Sequence, residues 1–288
     1  MKIAVFGLGL IGGSIAKELS TRSLGTVEVY GIEKNPDHAR QAIDLKLVNS
    51  ILTLEEAIEK CQVFILAVPV NAIENVLLNV LNNIKSHQVV FDVGSTKKEI
   101  CASIKSHKNR SRFVAAHPLA GTEFSGPQAA ILGLFDGKKN IICEKALSDD
   151  DAIETTLKIF EFLGMNSYFL SSEEHDKHMA YVSHLSHVTS FALSQTVLDI
   201  EKDEKQIFNM ASTGFASTAR LAKCNPITWT AIFEKNAKYL SEALDVYIVK
   251  MKAFKQLVDK IDTQGMHASI EEANQIERVL KGIKLNKK

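Results

Sequence analysis

The chain has 288 residues, 45 % hydrophobic and 24 % charged, with 34 lysines plus arginines against 34 aspartates plus glutamates. That balance belongs to a globular protein long enough for two domains, and the absence of net charge offers no basic surface to a nucleic acid. Cys61, Cys101, Cys143 and Cys224 are scattered without a C-x-x-C pair, which argues against a disulfide framework or a cysteine zinc site and for a reducing, cytoplasmic setting.

The apolar start "IAVFGLGLIGGSIA" is too short and too glycine-rich for a membrane span. It also lacks the basic start and cleavage site of a signal peptide, so it belongs to the fold. "KIAVFG" (2–7) reads as a strand and Ile11 to Ser20 as a helix. Further strands are "VEVYGIE" (27–33), "VFILAV" (63–68), "VVFDVG" (89–94), "RFVAAH" (112–117) and "KNIICE" (139–144). Helical stretches lie between most of them, notably around 70–84 and 97–106, and one more helix precedes a short strand-like "SYFL" (167–170). Strands alternating with helices predict a parallel sheet with crossover helices. From Glu173 onward the pattern is helical, over 172–200, 204–212, 227–254 and 269–284, with a long amphipathic helix over 236–261. The expected fold is α/β. A Rossmann-type parallel-sheet domain (1–170) precedes an all-α domain (171–288), whose apolar stripes pack on the first domain or, as we favour, form a homodimer.

Gly7, Gly9 and Gly12 form G-x-G-x-x-G between a strand and a helix, the context that gives this motif meaning. The first glycine permits a tight turn, the second lets backbone approach a pyrophosphate, and the third lets helix pack on strand. The amides at Leu10 and Ile11 then open the helix toward the phosphates. Glu33 ends the second strand, 21 residues after Gly12. It can accept from both ribose hydroxyls and would repel a 2′-phosphate, which favours NAD over NADP; the adjacent Lys34 works the other way. Val68 and Pro69 end a buried strand and so line the same crevice, as do Ser95 and Thr96 after the next. Ser95 could equally cap a helix beginning near Lys97.

His117 ends the fifth strand, and Pro118 holds it extended. Alone, a histidine there is most often structural. Beside a nucleotide site on the same sheet edge, it is placed as a general base. Four more histidines, His175, His178, His184 and His187, stand in two H-x-x-H spacings. No third ligand is apparent, so no metal is expected; His184 and His187 are instead candidates for a substrate pocket. Arg220, among small residues, could grip a carboxylate bidentately or form a surface ion pair. Trp229 could wall a pocket or fill a core.

"GLGLIGGS", "DVGSTK", "HPLAGTE" followed by "SG", "SHLSH" and "ARLAKCNPITW" occur in an order that resembles the prephenate dehydrogenase family, from residue 1 to about 240. The resemblance implies an NAD-binding domain followed by a helical dimerisation domain, with no fused mutase or regulatory segment. It implies that His117 takes the ring hydroxyl proton of prephenate while hydride leaves for the nicotinamide and the ring carboxylate departs as CO2, giving 4-hydroxyphenylpyruvate. It further implies that Ser95 hydrogen-bonds near His117 and the nicotinamide, that Arg220 holds a substrate carboxylate, that His187 helps form the pocket and that Trp229 lies near the arginine. Some relatives carry charged residues between Gly214 and Arg220, where this chain has Ala216, Ser217 and Thr218. Arogenate, with an amine in place of the side-chain ketone, is the alternative substrate. Two other readings are a β-hydroxyacid or imine reductase, which leaves "HPLAG" unexplained, and a non-catalytic NAD-binding regulator.

Overall fold

Strand and helix alternate from the first residue of the computed structural model, which describes residues 1–202 and 207–281. The chain divides into two compact units, Met1–Tyr239 and Leu240–Lys288. In the first, β1 (Lys2–Phe6), α1 (Leu10–Arg22), β2 (Glu28–Ile32), α2 (Pro36–Asp44), α3 (Leu54–Lys60), β3 (Val63–Leu66), α4 (Val70–Asn83), β4 (Val89–Asp92), α5 (Lys98–Ser103) and β5 (Phe113–Pro118) follow in turn. β6 (Lys139–Cys143), α6 (Asp150–Phe162) and β7 (Asn166–Leu170) complete one seven-stranded sheet of order β2-β1-β3-β4-β5-β6-β7. Period-2 burial on both faces explains the apolar strands. Ile3, Val5, Ile65, Phe91 and Val114 pack against Ile15, Leu19 and Phe160 on one side. Ala4, Phe6, Phe64, Leu66 and Val90 pack against Ile58, Leu77 and Ile100 on the other.

The expected all-parallel sheet needs one correction. β1 to β5 pair in parallel, and so do β6 and β7, but β5 and β6 are antiparallel. A parallel return requires a crossover, usually helical. Residues 119–138 supply only the short helical turn Pro127–Ala129, whereas α6 carries the chain between β6 and β7.

Parallel pairing fixes the position of the site. Phe6 pairs with Leu66, Leu66 with Asp92 and Asp92 with Ala115. The residues that follow, Gly7, Ala67, Val93 and then His117, emerge along one edge, and the chain runs from β1 to opposite sides at β2 and β3. That switch point is where α/β sheets bind ligands.

Beyond the sheet come α7 (Ser172–Met179), a π-helical turn (Ala180–His184), α8 (Leu185–Glu201), a 3-10 turn (Ile207–Met210), α9 (Thr213–Ala219) and a 3-10 turn (Arg220–Lys223). α10 (Pro226–Lys235), α11 (Ala237–Asp259), α12 (Thr263–Asn274) and α13 (Glu277–Leu280) follow. The single helix expected over 172–200 is thus interrupted. Residues 204–206 and 282–284 of the helices expected over 204–212 and 269–284 lie outside the described residues. The helix expected from 227 onward breaks at Asn236, whose side chain is drawn to Asp176 and His184. Among the described residues no helix is long and apolar enough to cross a membrane.

Candidate active site

The glycine loop is built for close approach. Gly7 has φ +81°, and a Cβ there would lie 2.7 Å from the Ala67 carbonyl oxygen and 3.2 Å from Val68 Cγ1. The loop therefore rests directly on the end of β3. A Cβ on Gly12 would meet the Gly7 carbonyl oxygen at 2.0 Å. A Cβ on Gly9 would meet nothing within 4 Å. Gly9 is also the N-cap of α1, with no side-chain cap and no acidic residue in the first turn. The amides at Leu10 and Ile11 are thus open to an anion in front of the helix dipole. Glu33 accepts the Leu8 N–H at 2.9 Å and the Asn35 N–H at 3.0 Å, so its carboxylate is fixed against the loop with lone pairs to spare. Open space at Gly9, uncapped amides and an anchored carboxylate fit a dinucleotide.

The turn after β4 holds Ser95, half-buried, and is pinned from beneath. Asp92 accepts the N–H of Gly94 at 2.9 Å and that of Ala116 at 3.3 Å, and it pairs with Lys97. Both charged side chains are fully buried. Burial pushes the Asp92 carboxyl up from its ordinary value, against the pull of the Lys97 ammonium. One carboxylate therefore ties the Ser95 turn to the residue before His117. Ser95 does not cap a helix. α5 begins at Lys98, its N-cap is Lys97 without a side-chain cap, and the Lys97 and Lys98 amides donate instead to Asp176 on α7, each at 2.8 Å. A carboxylate from a distant helix has replaced the local hydroxyl.

His117 is 7 % exposed. Its Nδ1 lies 2.8 Å from His175 Nε2, and His175 Nδ1 lies 2.8 Å from Asp176 Oδ1. Among the described residues, none hydrogen-bonds His117 Nε2. Burial, with His175, Lys97 and His184 nearby, holds the His117 imidazole well below its ordinary value, and so neutral.

His184 is 1 % exposed, packed edge-on to Trp229 and Phe233, and accepts from Asn236 Nδ2 at 3.0 Å. Burial lowers its pKa to about 4. His187 donates Nδ1–H to the Ser183 carbonyl at 2.9 Å and stacks on half-buried Trp229, with ring centroids 3.3 Å apart. Burial lowers its pKa too, with a smaller push from the Arg220 charge. Arg220 is half exposed, 3.9 Å from Glu123 on the loop after β5. In a straight α-helix His175 and His187 would lie about 120° apart, and the extra residue of a π turn removes about 100° of that. The turn so brings both onto nearly one face. Sequence reasoning did not single out Asp176, Asn236 or Glu123, and it read His175 only as half of a zinc spacing. A histidine–aspartate pair opening a helix was the available signal, but its partners stand far away in sequence.

A glycine loop on the first strand of a doubly wound sheet, an anchored carboxylate on the second and a neutral histidine on the same edge define a dinucleotide-binding dehydrogenase joined to a helical domain. Residues 15–169 match the nucleotide-binding domain of prephenate dehydrogenase, and residues 171–272 match its dimerization domain. The chain belongs to the prephenate dehydrogenase family. It is 28 % identical to a cyclohexadienyl dehydrogenase of Zymomonas mobilis, across 97 % of this chain and 96 % of that one. Prephenate dehydrogenase of Aquifex aeolicus, solved with hydroxyphenyl propionate and NAD+, superimposes with a TM-score of 0.88 at 27 % identity, covering 97 % of each chain. Synechocystis arogenate dehydrogenase does so with a TM-score of 0.78 at 26 % identity, across 97 % of this chain and all of that one.

Proposed function

We propose that the chain oxidatively decarboxylates prephenate to 4-hydroxyphenylpyruvate, with NAD+ as hydride acceptor. One observation carries this reading: a buried, neutral histidine on the same sheet edge as a nucleotide loop, with one ring nitrogen engaged by protein and the other left for substrate. Gly7, Gly9, Leu10, Ile11 and Gly12 hold the cofactor phosphates, Glu33 the ribose, and Val68, Pro69 and Ser95 the nicotinamide side. Bound there, NAD+ supplies the hydride acceptor. His117 Nε2 takes the ring hydroxyl proton as the hydride and CO2 leave the substrate ring. The hydroxyl becomes steadily more acidic as hydride departs, so a base of low pKa suffices. Ser95 orients the hydroxyl beside His117. Arg220 exchanges its long contact with Glu123 for a substrate carboxylate, over a floor of His187 and Trp229, with His184 behind them.

The helical domain, which we bound at 171–288 after a nucleotide domain at 1–170, forms the homodimer. Val246, Ile248, Val249 and Met251 on α11 are exposed apolar side chains that a second copy would cover. All four cysteines are free thiols, which suits a reducing, cytoplasmic setting.

Mixing the protein with NAD+ and prephenate, and separately with NAD+ and arogenate, while following NADH absorbance tests the reaction and its substrate together. Faster NADH formation from prephenate is expected; turnover of arogenate alone would move the assignment to the amine. Arg220→Ala should raise KM for substrate about 10- to 100-fold with a smaller change in kcat, the loss of a charge-assisted pair; an unchanged KM would place the carboxylate elsewhere. Glu33→Ala should narrow the preference for NAD+ over NADP+ about tenfold, and a constant ratio of the two affinities would remove Glu33 from ribose recognition.

A further inference from the structure

We propose that His175 and Asp176 are positioning residues that set the tautomer of the base, keeping the His117 proton on Nδ1 and its lone pair on Nε2 for the substrate hydroxyl. The inference rests on reading His117 as the base. Asp176 is where the logic starts. Its two carboxylate oxygens receive the Lys97 and Lys98 amides, each at 2.8 Å, so both oxygens stand as acceptors. His175 Nδ1, 2.8 Å from Oδ1, must therefore be the donor. With its proton on Nδ1, neutral His175 has only a lone pair at Nε2. His117 Nδ1, 2.8 Å away, must then donate. A neutral imidazole that donates through Nδ1 keeps Nε2 as acceptor. In the opposite tautomer an N–H would face the hydroxyl, and the base would be lost.

The surrounding charges single out Asp176 for this task. Lys97, from the turn after β4, pairs with Asp92 and works against the imidazolium. His184, from the π turn, has its Nδ1 occupied by Asn236. Asp176 is the carboxylate that the hydrogen bonds connect to His117, so it is also the group that favours the imidazolium formed when Nε2 takes the proton. No other proton need move. The same carboxylate caps α5, so the helix that completes the base also fixes the turn carrying Ser95.

The test joins histidine 15N NMR of the full chain with kinetics of Asp176→Asn, His175→Leu and His175→Gln. Wild-type His117 is expected to carry its proton on Nδ1, and Asp176→Asn to shift it at least partly to Nε2. kcat should fall about 100-fold in Asp176→Asn and in His175→Leu, with KM for NAD+ near wild type. His175→Gln should recover much of the loss, because its amide can accept from His117 and donate to Asp176. His175 does not touch the α5 amides, so a loss in His175→Leu at an unchanged unfolding midpoint cannot come from the cap. An Nε2–H tautomer in the wild-type protein, or full turnover in His175→Leu, would overturn the proposal. An Nδ1–H tautomer in a protein that turns over neither substrate would uphold it and remove the dehydrogenase reading instead.

Discussion

Replacing His117 with Asn should lower kcat by about 10²–10⁴, the usual effect of losing a general base, while NAD+ binding stays near wild type. The two effects separate because His117 sits at the end of β5, away from the glycine loop at the end of β1, and touches His175 rather than any residue of that loop. The pH profile carries a second part of the same expectation. The base works only when neutral, and burial together with His175, Lys97 and His184 holds its pKa well below the ordinary 6.5. Wild-type kcat/KM should therefore stay level as pH falls through 6.5 and decline only at lower pH. The Asn variant should lack that decline. Unchanged turnover in His117→Asn would remove the residue from the chemistry.

Gly12→Ala should abolish nucleotide binding and destabilise the fold by about 1–3 kcal/mol, the usual range for overpacking where backbone must move. Its Cβ would lie 2.0 Å from the Gly7 carbonyl oxygen, 2.9 Å from Ala67 Cβ and 3.1 Å from Val5 Cγ1. Two of these neighbours lie on strand ends and cannot yield separately. Gly9→Ala is the informative companion. Its backbone is extended, with φ −75°, and its Cβ would meet no protein atom within 4 Å. That variant should melt like wild type yet bind NAD+ at least tenfold more weakly, because the methyl stands where the pyrophosphate approaches the α1 amides. Full affinity in Gly9→Ala, measured by titration calorimetry, would mean that the phosphates lie elsewhere.

Local patterns carried much of the nucleotide half. Apolar runs such as "VFILAV" read as buried strands because both faces of this sheet are covered, and the glycine motif lies between β1 and α1, the setting its spacing called for. The reversal of β6 was not visible, since strand direction depends on the route of residues 119–138, which contain no helix long enough to mark a crossover. Ser95 looked like a helix cap because hydroxyls commonly serve there. Only the folded chain brings Asp176 to the α5 amides from nearly 80 residues away. The histidines show the same limit. Their H-x-x-H spacing assumes an uninterrupted α-helix, and the π turn at Ala180–His184 changes which faces they share. Three of the four rings hydrogen-bond away from one another: His175 engages His117, His184 engages Asn236 and His187 engages the Ser183 carbonyl.

The most direct test of the account is a single assay that measures NADH formed and CO2 released from prephenate in the same sample, with wild type and His117→Asn side by side. The account predicts one NADH for each CO2 in the wild-type protein and both falling together in the variant. Bound NAD+ with no NADH from prephenate or arogenate, or CO2 released without NADH, would contradict it.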